Sequence, residues 1–290
     1  MDNTNADLAL KLRGHVEFLT EIKPARNYRH IQSLDKAASY IYDALKLFLG
    51  QAAYQEFTDD GNTYRNVIAR YGKGEEKLII GAHYDVDGST PGADDNASAV
   101  AGLLEVARLL SKHKPDLSYQ IEFIGFTLEE SPFFRGNKMG SFIHAKSLKD
   151  ANAKVKAMVC LEMIGYYSDE PNSQRYPHPD MLKIFPSIGN FIGVIGKEGQ
   201  EWLVKHMATH ITQSAKIPVE SIAAPPGLNE AIALSDHINY WKHGFESVMI
   251  NDTSFYRNPN YHRLSDTIDT LNFNKMAEVV KGVYAGIVKF

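Results

Sequence analysis

The stretch IEFIGFTLEE, residues 121–130, decides the reading of this 290-residue chain. Its apolar part, Ile121 to Leu128, reads as a strand and delivers two adjacent carboxylates, Glu129 and Glu130, at its end. Buried charge costs several kcal/mol unless a partner neutralises it, so the pair is hard to justify as packing. Neighbours on an extended chain point in opposite directions, so one carboxylate could hold a metal while the other reaches a metal-bound water. Two consecutive glutamates are usually solvated surface; the weight of this pair comes from its company along the chain.

Outward from this strand the pattern alternates. Helical periodicity covers Ala6 to Thr20 and Ser33 to Leu49, the second stopped by Gly50. Strand-like runs follow at Gln51 to Phe57, Tyr64 to Tyr71 and Leu78 to Tyr84, punctuated by Asp59-Asp60-Gly61 and Gly72-Lys73-Gly74. A helix is expected over Asn96 to Lys112, and after the run 119–128 come helices expected at 138–147, 201–215, 236–243 and 273–288. Strands are expected at 155–164, 191–195, 219–223 and 247–251, and 169–186 is irregular and Pro-rich. Such alternation predicts a three-layer α/β/α fold with a central mixed, largely parallel sheet. Without repeats or a linker, residues 1–290 read as a single domain, with the helices of residues 1–50 packed on the core.

Composition narrows the function classes. With 44% apolar residues the chain can build a full core, and a net charge of −4 with scattered Lys and Arg argues against a nucleic-acid partner. The lone Cys160 excludes an internal disulfide or a CxxC site. No apolar run approaches the roughly 18–20 residues of a membrane span. The opening residues have neither a basic nor an apolar signal region. A cytoplasmic protein and a secreted or periplasmic one trimmed of its signal both fit, and oligomeric state is left open.

Residues suited to metal chemistry stand at successive strand ends: His83 with Asp85, then Asp94-Asp95, Glu129-Glu130, Glu162, and His262 in the loop after the last strand. In open α/β sheets the carboxyl ends of strands gather on one rim, where ligands bind. Histidine and carboxylate donors suit Zn²⁺ and related ions. Asp85 is placed to accept the second imidazole N–H of His83.

The strings GAHYD (81–85), PGADDNASAV (91–100), FTLEE (126–130), LEMIG (161–165), SDH (235–237) and NPNYHRLSDT (258–267) resemble, in order and spacing, the M28 family of zinc peptidases. The resemblance runs from about Tyr64 to the end of the chain and implies a zinc-peptidase (phosphorylase/hydrolase-like) architecture. It implies two Zn²⁺ ions, one held by His83 and Glu162, the other by Glu130 and His262, with Asp95 bridging both. Three carboxylates and a bridging hydroxide balance the +4 of such a pair. The resemblance further implies Glu129 as the general base acting on a metal-bridged water, Tyr261 as a hydrogen-bond donor to the carbonyl oxygen, and Asp236 as a supporting carboxylate. The implied activity is an aminopeptidase acting on peptides with a free N-terminus.

Two departures stand out. Many members carry Asp where this chain has Glu162, and residues 131–139 replace a short Gly-rich turn. Phe133, Phe134 and Arg135 are therefore expected at the rim, with Tyr166, Tyr167, Phe255 and Tyr256 as further pocket candidates for apolar substrates. A glutaminyl-peptide cyclotransferase is the alternative within the fold, although those relatives typically read Asp-Ser where this chain has Asp95-Asn96. A catalytically inactive interaction module is the alternative outside catalysis; all five ligand candidates and the base are present. His206 and His210 have helical i, i+4 spacing, but Met207 stands where an HExxH site has its glutamate. Cys160 reads as a core thiol.

Overall fold

The computed structural model describes residues 3–290. Two helices, α1 (Asn3–Thr20) and α2 (Ile31–Leu49), precede three strands, β1 (Ala53–Asp59), β2 (Asn62–Tyr71) and β3 (Lys77–His83). Helix α3 (Ala99–His113), strand β4 (Gln120–Phe126), helix α4 (Gly140–Asp150) and strand β5 (Val155–Glu162) follow. The C-terminal part runs β6 (Ile192–Lys197), α5 (Glu201–Ser214), β7 (Val219–Ala224), the short α6 (Asn229–Ile232) and α7 (His237–Lys242), β8 (Ser247–Asn251) and α8 (Phe273–Ile287).

The eight strands form one sheet in the order β1-β2-β4-β3-β5-β8-β6-β7. Its centre, β4-β3-β5-β8, is parallel throughout. The pairs β1–β2 and β2–β4 are antiparallel, β6 runs antiparallel to β8, and β7 follows β6 in parallel. Parallel strands buried on both faces need unbroken apolar sequence. Strand β3 supplies it with Leu78, Ile79, Ile80 and Ala82, all fully buried. Helices cover both faces. On one lie α1, α2, α3, α5 and α8, which contribute Leu12, Ile41, Val100, Met207 and Val280 to the larger core. On the other lie α4 and α7, which contribute Leu148 and Tyr240 to the smaller one. Among the described residues no helix is long and apolar enough to cross a membrane.

The expected alternation matches these elements closely, and Gly50 closes α2 in the left-handed region (φ 79°) as its position after the periodic run predicts. Two expectations are corrected, and one element is new. Strand β4 ends at Phe126, and Leu128 turns the chain with φ 59°, so Glu129 and Glu130 lie in a loop and strand alternation does not set their directions. The helix expected from Asn96 begins as a wide turn, Ala93–Ser98, in which Asp95 and Asn96 leave helical geometry, and becomes regular only at Ala99. The turn α6 was not anticipated; at four residues it is too short to show a helical period.

Candidate metal centre

The parallel strands β3, β5 and β8 end on one rim, and β6, running the other way, begins there, with Gly193 opposite Asn251. His83 is the last residue of β3 and Glu162 the last of β5. Asp95 comes from the wide turn before α3, Glu129 and Glu130 from the loop after β4, and His262 from the loop after β8. All five ligand candidates and Glu129 converge.

Asp95 lies between the two histidines. One of its oxygens is 3.4 Å from His83 Nε2, the other 3.2 Å from His262 Nε2. Glu162 Oε2 completes the first group at 3.2 Å from His83 Nε2, and Glu130 Oε2 the second at 3.3 Å from His262 Nε2. Glu129 stands outside these closest contacts, its carboxylate 3.9 Å from His83 Nε2. Asp95, Glu129, Glu130 and Glu162 are all buried, and among the described residues no Lys or Arg pairs with any of them.

The electrostatics call for positive charge. Burial, reinforced by Asp95, pushes the Glu130 carboxyl up to about 8. Burial and then repulsion from Glu130 and Glu162 raise Glu129 well above the carboxylate range, with His83 opposing. Burial would lower His262, yet the adjacent Asp95 and Glu130 carboxylates lift it to about 10. Glu130 Oε1 and His262 Nε2 are buried without a hydrogen-bond partner. Nitrogen and oxygen donors, orphaned polar atoms and uncompensated carboxylates together fit a divalent cation of the zinc type. His83 with Glu162 could hold such a cation, as could His262 with Glu130, and Asp95 lies within reach of both groups.

The surrounding main chain is fixed by carboxylates. Asp85 accepts the backbone N–H of both Glu129 and Glu130, each at 3.1 Å. His83 Nδ1 lies 3.3 Å from the Asp85 backbone carbonyl and 3.6 Å from its carboxylate, so Asp85 faces the imidazole as well. Asp266 plays the same part for the other acidic pair, accepting the N–H of Asp94 at 2.9 Å and of Asp95 at 3.1 Å. Asp94 turns away from the histidines and accepts hydrogen bonds from Gly165 N–H and the Asn258 amide. The Ser235 hydroxyl donates to Glu162 at 2.6 Å. Asn96 accepts the Met163 N–H, bracing the chain just past Glu162. Sequence reasoning missed Asp266 and Ser235, although both sit inside strings quoted above. Asp236 is fully buried, and neither of its oxygens meets a hydrogen-bond donor.

Strained backbone concentrates here. Leu128, Met163 and His262 all have positive φ, as do Thr253 and Ser254 in the adjoining wall. Non-glycine residues persist in that region only where the surroundings impose it, and they cluster at functional sites.

A cavity of about 160 Å³ opens beside the ligand cluster. Phe134, Phe255 and Tyr256 line it, as does Tyr261, whose ring stacks on His262 at 3.8 Å between centroids. The other aromatic candidates lie elsewhere. Phe133 packs edge-on against Tyr28, and Tyr167 lies against the larger core. Tyr166 follows the turn after Glu162 and is not in the lining. Arg135 anchors the 131–139 loop to the α6 region through Glu230 at 2.7 Å and the Ala233 carbonyl.

The family model described as Peptidase family M28 matches residues 66–286. Escherichia coli K12 YfbL, an uncharacterized protein, is 42% identical over 94% of this chain and 85% of its own length. A probable leucine aminopeptidase of Arthroderma otae is 28% identical over 80% of this chain, which spans only 58% of that relative. Among solved structures, Legionella pneumophila LapB shares the fold with a TM-score of 0.75 at 24% identity, covering 99% of this chain and 75% of its own. A glutaminyl cyclase of Bacteroides thetaiotaomicron does so with a TM-score of 0.69 at 18% identity, covering 97% and 98%.

Proposed function

Because the chain belongs to peptidase family M28, we propose that it is a zinc-dependent aminopeptidase that removes N-terminal residues from peptides. The observation that carries this reading is Asp95 standing between two His–Glu groups, an arrangement suited to two cations sharing one carboxylate. Zinc bound there would supply Lewis-acid polarisation of the scissile carbonyl and acidify the attacking water.

The chain's own residues do the rest. Glu129 takes the proton of the attacking water on a carboxylate oxygen and delivers it to the departing amine. Its carboxylate, 3.9 Å from His83 Nε2 and outside the closest ligand contacts, is left free for that shuttle. Tyr261, held by stacking on His262, donates its phenolic hydrogen to the carbonyl oxygen as negative charge develops. The carboxylate-rich rim favours the α-ammonium of a free N-terminus, and the cavity beside it receives the first side chain. Asp85, Asp266 and Ser235 hold the reacting groups in place.

Stripping the protein with excess chelator is expected to abolish hydrolysis of aminoacyl p-nitroanilides, and added Zn²⁺ to restore it. Full activity in a verified metal-free sample would sink the reading. Pyroglutamate formation from a Gln-initiated peptide, with no release from aminoacyl substrates, would assign the site to the cyclase reaction instead.

A further inference from the structure

Strand register lays out a straight row across the rim. Glu162 of β5 pairs with Asn251 of β8, Asn251 with Gly193 of β6, and Gly193 with Glu220 of β7. Residues paired in this way share a face of the sheet, and all four line the cavity beside the ligand cluster. At about 4.8 Å per strand, Glu220 stands roughly 14 Å from Glu162 along the row. Gly193, between Asn251 and Glu220, has no side chain to block the track.

Glu220 is the one acidic residue of the cavity wall outside the ligand cluster and Glu129. The wall around it is apolar, with Tyr176, Met181, Phe185, Ile195 and Ile222. Among the described residues no donor reaches its carboxylate and no cation lies within ion-pair distance. Arg175, the basic residue of the same wall, is committed to the Phe255 carbonyl at 3.1 Å. Desolvation, unopposed by any positive neighbour, raises the Glu220 carboxyl above its ordinary value.

We infer that this cavity selects peptides whose N-terminal residue is lysine or arginine, with Glu220 receiving the cationic end of the side chain. The inference rests on the aminopeptidase reading for its orientation. A substrate α-carbon seated above Asn251 is two strand spacings, about 10 Å, from Glu220. An extended lysyl side chain, five bonds of about 1.5 Å each, covers roughly 6 Å of that. A charged hydrogen bond of about 2.8 Å, together with the reach of the Glu220 side chain itself, closes the remainder. A leucyl side chain falls short of the half-exposed carboxylate and forgoes the charged hydrogen bond that a lysyl or arginyl head group makes. The apolar wall accommodates the methylene stem while the head group meets the carboxylate.

The test measures kcat/KM of the zinc-loaded protein on Lys, Arg, Leu and norleucine p-nitroanilides, alongside calorimetric binding of lysine amide and norleucine amide. Wild type is expected to favour Lys and Arg over norleucine. Glu220→Gln should lower kcat/KM on Lys and Arg by roughly 10- to 100-fold, the value of one charged hydrogen bond. Norleucine turnover should change less than about threefold, which also shows that the variant is folded, and Glu220→Asp should retain part of the preference. Equal use of Lys and norleucine by wild type, or an equal drop on both in Glu220→Gln, overturns the inference while leaving the aminopeptidase reading intact. If no aminoacyl substrate is cleaved, that reading fails, and amide binding decides: lysine amide weakened selectively by Glu220→Gln upholds the pocket, and binding unchanged by the substitution overturns it.

Discussion

Among single residues, Glu129 and Glu130 separate by position. Glu130 is 3.3 Å from a histidine nitrogen that also meets Asp95, whereas Glu129 approaches no histidine closer than 3.9 Å. Glu129→Gln removes a proton carrier and nearly nothing else, so kcat should fall by about 10²- to 10⁴-fold while zinc content per chain is unchanged. Steady-state kinetics with metal analysis on the same sample checks both halves; normal turnover would remove Glu129 from the role. The residues themselves were legible in sequence, since histidine and carboxylate types at strand ends announce metal chemistry. The reason offered for the split was not. Opposed side chains on a strand do not apply to a pair that lies beyond Leu128 in a loop pinned by Asp85. Asp266 illustrates the same limit: its contact with Asp94 and Asp95 spans more than half the chain and has no local signature.

Among elements, β4 carries a second charged device away from the rim. Glu122, fully buried, ties three elements together: it accepts from His144 of α4 at 3.1 Å, and pairs with Lys77 of β3 at 3.1 Å and Arg70 of β2. Burial alone would raise its carboxyl, but the hydrogen bond and charge of His144, then Lys77 and Arg70, bring it down to about 2. A carboxyl depressed in the folded state stabilises above its unfolded value and loses that contribution as pH falls through the folded one. Stability should therefore decline between about pH 4.5 and 2, and Glu122→Gln should flatten that decline. Glu122→Ala, which leaves the buried His144 and the half-exposed Lys77 and Arg70 without their shared partner, should cost about 1–3 kcal/mol in denaturant unfolding. A pH profile of the unfolding midpoint identical in Glu122→Gln and wild type would refute the account. The elements themselves were the most legible level, because apolar runs such as Leu78 to Ala82 admit few alternatives. The short α6 and the aromatic lining were not, since Phe133 and Phe134 are neighbours in sequence yet only Phe134 reaches the cavity.

For the whole molecule, four buried carboxylates and two histidines from five separate segments are held together against their own repulsion. Cations that bind only the folded state raise its stability by mass action, about 2.7 kcal/mol at a hundredfold excess over Kd. Thermal melting should shift upward on zinc titration and return on chelation, and an unmoved melting temperature would contradict a site formed only in the folded chain. The strand order itself could not be read from sequence, because nothing local says that β6 enters between β8 and β7 running backwards. That insertion turns the sheet into a ruler. Its graduations are hydrogen-bonded strand separations, which no side-chain replacement can stretch, so the distance from the reaction centre to the end of the pocket is a property of the backbone. Variation within such a scaffold can shorten or discharge the group at position 220, but it can retune chain-length preference only in steps of one carbon atom.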